Sequence, residues 1–354
     1  MNTSLVGTSV PVMAANRRDR SNLWRPHRLA VLVSLAALLA AAALVGLAWS
    51  VGFQRTLTGL VHPHWPWLAA AVGGELLAYL GYTAAYREVA RAEDGAELEV
   101  PKAAALVAAG FGAFVHGGGF ALDRAALQRA GLSEREARRR VLGLGALEYA
   151  VLAPATLVAA VVVLLWHQTI SASLTLPWII GVPAGAVLAL AALRFKDTVS
   201  GWPLIGKQFA HGLQALELVL RLVGSPRHHA LAVVGTLAYW SGDIFCLWST
   251  LHAFSARTPP VAQLIVGYAT GYALTRRALP LGGAGIVEAL LPFALGWLKI
   301  ALAPALLAVF AYRLINLWLP IIPALAGLPT LRRLERTRAH HHTRSGARLA
   351  SRRT

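Results

Sequence analysis

Charge is what this chain has least of. Only 14% of its 354 residues are Asp, Glu, Lys or Arg, and 56% are hydrophobic. A soluble domain carries roughly a quarter charged residues, so an ordinary water-soluble globule is excluded. Segments of alternating apolar and polar residues are also missing, which excludes an outer-membrane barrel. The single cysteine, Cys246, rules out an internal disulfide and a cysteine-based metal centre. No Gly-rich loop carries a Walker lysine, no serine sits in a nucleophile elbow, and no His/Glu pair has metal-binding helical spacing. His116 reads as a cavity or capping residue, His228 and His229 as interfacial, and the run 340–342 as part of a basic tail. Neither a metal nor a cofactor is expected, and catalysis has no motif behind it.

What remains is a series of apolar windows of about 20 residues, each long enough to cross the hydrocarbon core. The expected fold is an all-α polytopic membrane protein with six full transmembrane helices and two re-entrant, Gly-broken hairpins. The crossings are expected at 28–51, 65–86, 141–166, 176–193, 229–251 and 301–325, with hairpins around 103–130 and 261–298. A basic amphipathic segment, 122–140, precedes the third crossing. The first apolar run is too long for a cleaved signal and lacks a cleavage pattern, so it is expected to stay as a span.

The formal net charge of +17 comes mainly from the ends, +4 over residues 1–28 and +7 over 332–354, where tails are expected at 1–27 and 329–354. Arg17, Arg18, Arg20, Arg25 and Arg28 face only Asp19, and eight arginines beyond position 331 face only Glu335. Both segments read as disordered tails drawn to an anionic membrane surface. Nucleic acid is not expected, since neither tail carries stacking aromatics or a reading module. With both tails cytoplasmic, 27 of the 33 basic residues fall on the inside. The other six are Arg55, Arg257 and Lys299 in outer loops and Arg276, Arg277 and Arg313 within the membrane. That bias is what the positive-inside rule asks for, and it predicts a multi-pass protein of the cytoplasmic membrane.

Residues 276–288, RRALPLGGAGIVE, are the stretch around which the chain is organised. Charge at membrane depth is costly and marks a functional site. A Pro-Gly break at that depth is tolerated where the freed backbone is buried or lines a polar cavity. A shift of 165 positions lays Gly117 and Gly118 on Gly282 and Gly283, Asp123 on Glu288, and Glu148 on Arg313. With three crossings between the two breaks, this reads as a weak inverted repeat, the sequence pointer to a transporter-like site. The candidate substrate-binding residues are Arg276, Arg277, Pro280, Gly282, Gly283, Gly285, Glu288 and Arg313, with Gly117, Gly118, Gly119, Asp123 and Glu148 from the first half. Glu75 and Asp243 are secondary candidates.

Two readings of these groups stand side by side. The acids and arginines neutralise one another, or the arginines receive an anionic headgroup through bidentate contacts. Asp123 and Glu288 are first-turn acids favoured by the helix dipole, or neighbours of an anion site on the free N–H groups of 282–285.

The stretch RRALPLGGAGIVEALLPFALG, followed by AVFAYRLINLWLP, resembles the flippase-like membrane region of lysylphosphatidylglycerol synthases, a family that includes stand-alone membrane proteins. LDRAALQRAGLSEREA and the span carrying Glu148 are similar to its first half, and the likeness covers about 28–328. The resemblance implies a transporter-like fold with re-entrant helices and movement of a polar lipid between leaflets. Pro280, Gly282, Gly283, Gly285, Glu288 and Arg313 fall on its motif. Two departures stand out: the first break, 117–119, has no nearby proline, and a basic tail stands where the full synthases carry an aminoacyl-transferase domain. Lysyl transfer is therefore not expected. The leading expectation is a translocase for an anionic or polyprenyl-linked lipid, with Glu288 as a candidate proton-coupling group. The alternatives are an accessory subunit that presents a lipid to a membrane enzyme, and a scaffold whose tails bind anionic membrane.

Overall fold

In hydrocarbon every backbone N–H and C=O must find its partner within the chain, so long apolar runs coil into helices. The computed structural model describes residues 26–52, 63–111, 118–166, 171–196, 206–254, 256–273 and 283–319, and every regular element among them is helical. The first half contains α1 (Pro26–Val51), α2 (Trp65–Arg91), α3 (Val100–Phe111), α4 (Gly118–Arg129) and α5 (Glu134–Leu165). Then come α6 (Ala172–Arg194), α7 (Gly206–Gly224), α8 (Pro226–Ala253), α9 (Val261–Tyr268), α10 (Ile286–Trp297) and α11 (Leu302–Arg313). Helices α9 and α11 each run on into a π-helical turn, Ala269–Ala273 and Leu314–Trp318.

Among these, α2, α5, α6 and α8 are long and apolar enough to cross a membrane. Helices α3, α4 and α10 have 12 residues each, about 18 Å against a core of about 30 Å. Helix α4 packs back on α3, and α10 packs back on α9 and its π turn. A short helix followed by a 12-residue helix thus occurs twice, in α3–α4 and in α9–α10.

One expected segment is redrawn. Residues 122–140 are not one amphipathic piece: α4 ends at Arg129, Gly131 takes φ +108, and Ser133 starts α5. The Ser133 side chain accepts from the Glu136 N–H while the Glu136 carboxylate accepts from the Ser133 N–H, a capping box that fixes the new start. Arg135, Arg138, Arg139 and Arg140 therefore ride on the first turns of the helix that carries the third expected crossing.

The core is built on α2 and α8. They run antiparallel with glycines facing glycines, so that a Cβ on Gly74 would lie 2.7 Å from the Gly242 carbonyl oxygen and one on Gly81 2.6 Å from that of Gly235. Ala71, Ala78 and Ala85 fill the same face of α2. Helices gain little from the hydrophobic effect inside a bilayer, so close backbone approach through small residues supplies the attraction. Cys246 sits in this seam, fully buried and with a free thiol. Helix α11 packs on α8 and its π turn reaches α2, while α1 leans on α10 and α11. Gly117, Arg276, Arg277, Pro280, Gly282, His116 and both tails lie outside the described residues.

Candidate functional site

The α2–α8 seam carries Glu75 and Asp243 one position beyond Gly74 and Gly242, which brings two acids into the protein interior. Asp243 is fully buried and accepts three hydrogen bonds: from the Tyr268 hydroxyl at 2.6 Å, the Tyr312 hydroxyl at 2.8 Å and the Asn316 amide at 2.8 Å. The same amide donates to Glu75 at 3.1 Å, and the Asn316 carbonyl accepts from the Tyr272 hydroxyl at 2.8 Å. Tyr268 and Tyr272 lie four positions apart, as do Tyr312 and Asn316, so each pair shares one helical face. Each pair also straddles the entry to a π turn. Such turns shift the register of the side chains beyond them and recur at functional sites.

Beside this network lies an ion pair built on the second break. Gly283 and Gly285 take φ of +70 and +84, a region open to glycine, and the chain turns there into α10. Glu288 falls in the first turn. Its Oε2 accepts the Gly285 N–H at 2.7 Å and its Oε1 accepts Arg313 Nε at 2.8 Å. Both side chains are buried, and the Arg313 guanidinium lies 5.9 Å from the Tyr272 ring centroid. The two structures are therefore joined: Tyr272 touches Arg313 on one side and Asn316 on the other.

Of the N–H groups of 282–285 expected to hold an anion, that of Gly285 donates to the Glu288 carboxylate. The first-turn acid and the neutralised arginine, two separate readings of the sequence, are one arrangement in which a single carboxylate takes both donors. Glu75 and Asp243, ranked second from the sequence, join the network through Asn316.

The described first-half candidates lie on α4 and α5. Asp123 on α4 is buried within electrostatic reach of Tyr86 on α2. Glu148 on α5 is buried, and its backbone carbonyl accepts the Trp240 indole N–H at 2.9 Å. The Trp240 ring in turn meets Tyr268 edge-on, 6.1 Å between centroids, so Glu148 borders the network through an aromatic neighbour. Gly118 and Gly119 form the first turn of α4. Sequence reasoning did not single out Tyr268, Tyr272, Tyr312, Asn316 or Trp240. The usable signal was Tyr-x-x-x-Tyr and Tyr-x-x-x-Asn, hydrogen-bonding groups at helical spacing within apolar runs.

Chemically, the site offers hydrogen-bond donors from tyrosine, asparagine, arginine and a backbone amide, gathered around carboxylates in a water-poor interior. Breaking one pairing there is costly, so the groups move together or exchange one acceptor for another.

Comparison with individually curated proteins gives no match for this chain. The family model for the lysylphosphatidylglycerol synthase TM region matches residues 29–324. That span takes in every helix from α2 to α11, both breaks and every residue of the network. The protein belongs to the lysylphosphatidylglycerol synthase transmembrane-region family, as an all-helical, multi-pass membrane protein of lipid-related function.

Proposed function

We propose that the protein translocates an anionic or polyprenyl-linked polar lipid, receiving the headgroup at Arg313, Glu288 and Gly285. The observation behind this reading is the buried Glu288 carboxylate, which holds a guanidinium N–H and a helix-start amide N–H at once. A phosphate oxygen is an acceptor of the same kind, and both donors suit it. Exchange of carboxylate for phosphate keeps both donors satisfied, and protonation of the released Glu288, the candidate proton-coupling group, keeps it from remaining as a bare buried charge. Tyr268, Tyr272, Tyr312 and Asn316 hold the neighbouring acids while this occurs.

In this reading residues 28–328 form the translocating domain, with six crossings and two re-entrant hairpins related by an inverted repeat. The two basic tails flank it on the cytoplasmic side of the cell membrane and touch anionic lipid. Arg276, Arg277, Pro280 and Gly282 are assigned to the same headgroup site from the sequence. Gly117, Gly118, Gly119, Asp123 and Glu148 form its counterpart in the first half. Movement is facilitated or ion-coupled, since the chain carries no Walker motif.

The test is reconstitution into liposomes with a leaflet-accessibility assay over a panel of labelled lipids, comparing wild type with Arg313→Ala, Arg313→Lys and Glu288→Gln. The expected result is scrambling of one anionic lipid class, lost in Arg313→Ala and reduced in Arg313→Lys, because an ammonium lacks the planar fork. Folded wild-type protein that scrambles none of the panel would overturn the translocase reading in favour of a lipid-presenting subunit.

A further inference from the structure

Helices α5 and α6 pack on each other but leave an open groove along part of their shared face. Between them, with Leu216 and Leu220 of α7 at one end and Trp178 and Thr270 at the other, lies a groove of about 770 Å³. Its walls are apolar and built from small residues, among them Ala146, Ala150 and Ala153 on α5 and Gly181, Gly185 and Ala189 on α6. Small residues at these spacings ordinarily let two membrane helices come into backbone contact. Here no atom lies within 4 Å of a Cβ built on Gly181 or Gly185. The most apolar window of α6 has no residue buried against protein, at a mean hydropathy of 2.0. An empty slot of this size between membrane helices forfeits dispersion contacts along its whole length, so an apolar occupant belongs in it.

We infer that the α5–α6 groove is the binding site for one hydrocarbon chain of a membrane lipid. Its dimensions choose between occupants. The lining runs from Ser173 to Leu193 on α6, about 30 Å at 1.5 Å per residue, and from Ala146 to Pro154 on α5, about 12 Å. A methylene chain about 4–5 Å wide lies along so shallow a trough, whereas a helix about 10 Å across and as long as the α6 lining occupies roughly three times its volume. The polar end of the groove fixes the orientation of the lipid. Trp178 Nε1 donates to the Thr270 hydroxyl at 2.9 Å, and that hydroxyl donates to the Val266 carbonyl at 2.8 Å. Thr270 stands on the π turn between Tyr268 and Tyr272, both of which belong to the buried network around Asp243 and Asn316. A chain lying in the groove therefore ends beside Thr270, two positions from Tyr272, whose ring centroid lies 5.9 Å from the Arg313 guanidinium proposed to receive a headgroup. The assignment rests on that reading for its meaning, because it supplies the tail site for the same lipid.

The full chain is reconstituted in phosphatidylcholine–phosphatidylglycerol vesicles containing a phospholipid with a mid-chain diazirine. After photolysis the adducts are mapped by mass spectrometry. Groove-facing positions such as Gly181, Ala189 and Ala150 are expected to be labelled several-fold more than Ile180, Val187 and Leu188, which are highly exposed on α6 but do not line the groove. The double substitution Gly181→Leu/Gly185→Leu fills open space without meeting protein, so it is expected to fold and to remove the groove adducts alone. Equal labelling of the two sets of α6 positions means bulk lipid only and overturns the inference. So does a dimer that dissociates on filling the groove without any change in adducts, which assigns the groove to a second copy. Translocation is scored separately in the same vesicles. Groove adducts without scrambling keep the tail site and sink the translocase reading; scrambling with equal labelling does the opposite.

Discussion

The protein keeps its charges under two regimes. At the rim, where α2 ends, Glu93 accepts Arg139 from α5 and Arg221 from α7, both at 2.6 Å, and Lys196 meets Glu217 at 3.2 Å. All five side chains are at least a fifth exposed. In the interior, Arg313 meets Glu288 at 2.8 Å with both side chains almost wholly buried. The distances are alike, but the surroundings are not. At the rim, water and salt stand ready to replace either partner, so the pairs contribute little. In the interior no water stands ready, and removing Arg313 takes from the Glu288 carboxylate a donor that nothing there replaces. A short ion-pair distance therefore says nothing about its importance until the burial of both partners is known.

The largest expected effect breaks the interior pair. Arg313→Ala leaves Glu288 with the Gly285 N–H and no Arg313 Nε, and is expected to destabilise the protein by about 3–5 kcal/mol. Replacing both partners, as Arg313→Met with Glu288→Leu, is expected to recover most of that loss, because no buried charge is then stranded. Thermal unfolding of purified protein in detergent reads both outcomes. If the double variant is as stable as wild type yet moves no lipid, the pair is kept for its chemistry and not for the fold. Equal instability of single and double variants would break the comparison.

Arg140 lies between the two regimes, and the next effect is expected there. It sits among the rim arginines yet is buried, and it donates to the carbonyls of Ala90 and Ala92 at 3.2 and 2.7 Å, which closes the C-terminus of α2. Arg140→Ala removes two charge-assisted hydrogen bonds and is expected to cost about 2–3 kcal/mol. A Lys at the position keeps the charge but loses the fork, and is expected to recover part of the loss. Amide exchange of residues 90–95 would locate the damage at that helix end. Tyr312→Phe comes third, at about 1–2 kcal/mol, because Asp243 keeps its bonds from Tyr268 and Asn316.

How much of this was legible in the sequence follows the same division. Helices were legible because an apolar run in a membrane has no other way to satisfy its backbone. Glu75, Asp243, Glu288 and Arg313 were legible because charge in such a run is conspicuous. Their partnerships were not: Glu288 and Arg313 lie 25 positions apart, and only tertiary packing decides that α10 presents the acid to α11. The tyrosines and Asn316 stayed hidden because neutral polar residues barely disturb an apolar pattern, and because the π turns move side chains off the 3.6-residue rhythm that the pattern assumes. Arg140 was hidden by company, one buried arginine in a run of exposed and half-buried ones. The boundary between α4 and α5 was legible in principle, since Ser133 and Glu136 already have capping-box spacing. The basic residues around them invited a single amphipathic reading instead.

The smallest expected effect sharpens the comparison from the other side. Glu93 joins three elements, and both of its arginine contacts are 2.6 Å long, so on geometry alone it outranks Glu288. Its carboxylate is nevertheless 29% exposed, and the Arg221 side chain 65%. Each oxygen released by an arginine finds water, and each arginine released by Glu93 does too. Glu93→Gln is therefore expected to change stability by about 1 kcal/mol or less, and less still at high salt, where the screening length falls to about 3 Å at 1 M. Arg313→Ala measured in the same salt series is expected to keep its full cost, because ions do not reach the buried pair. Parallel salt dependence of the two variants would mean that the interior site is wet. In that case the carboxylate at Glu288 would have water as well as a lipid phosphate to compete with, and the exchange proposed for the headgroup would lose its driving force.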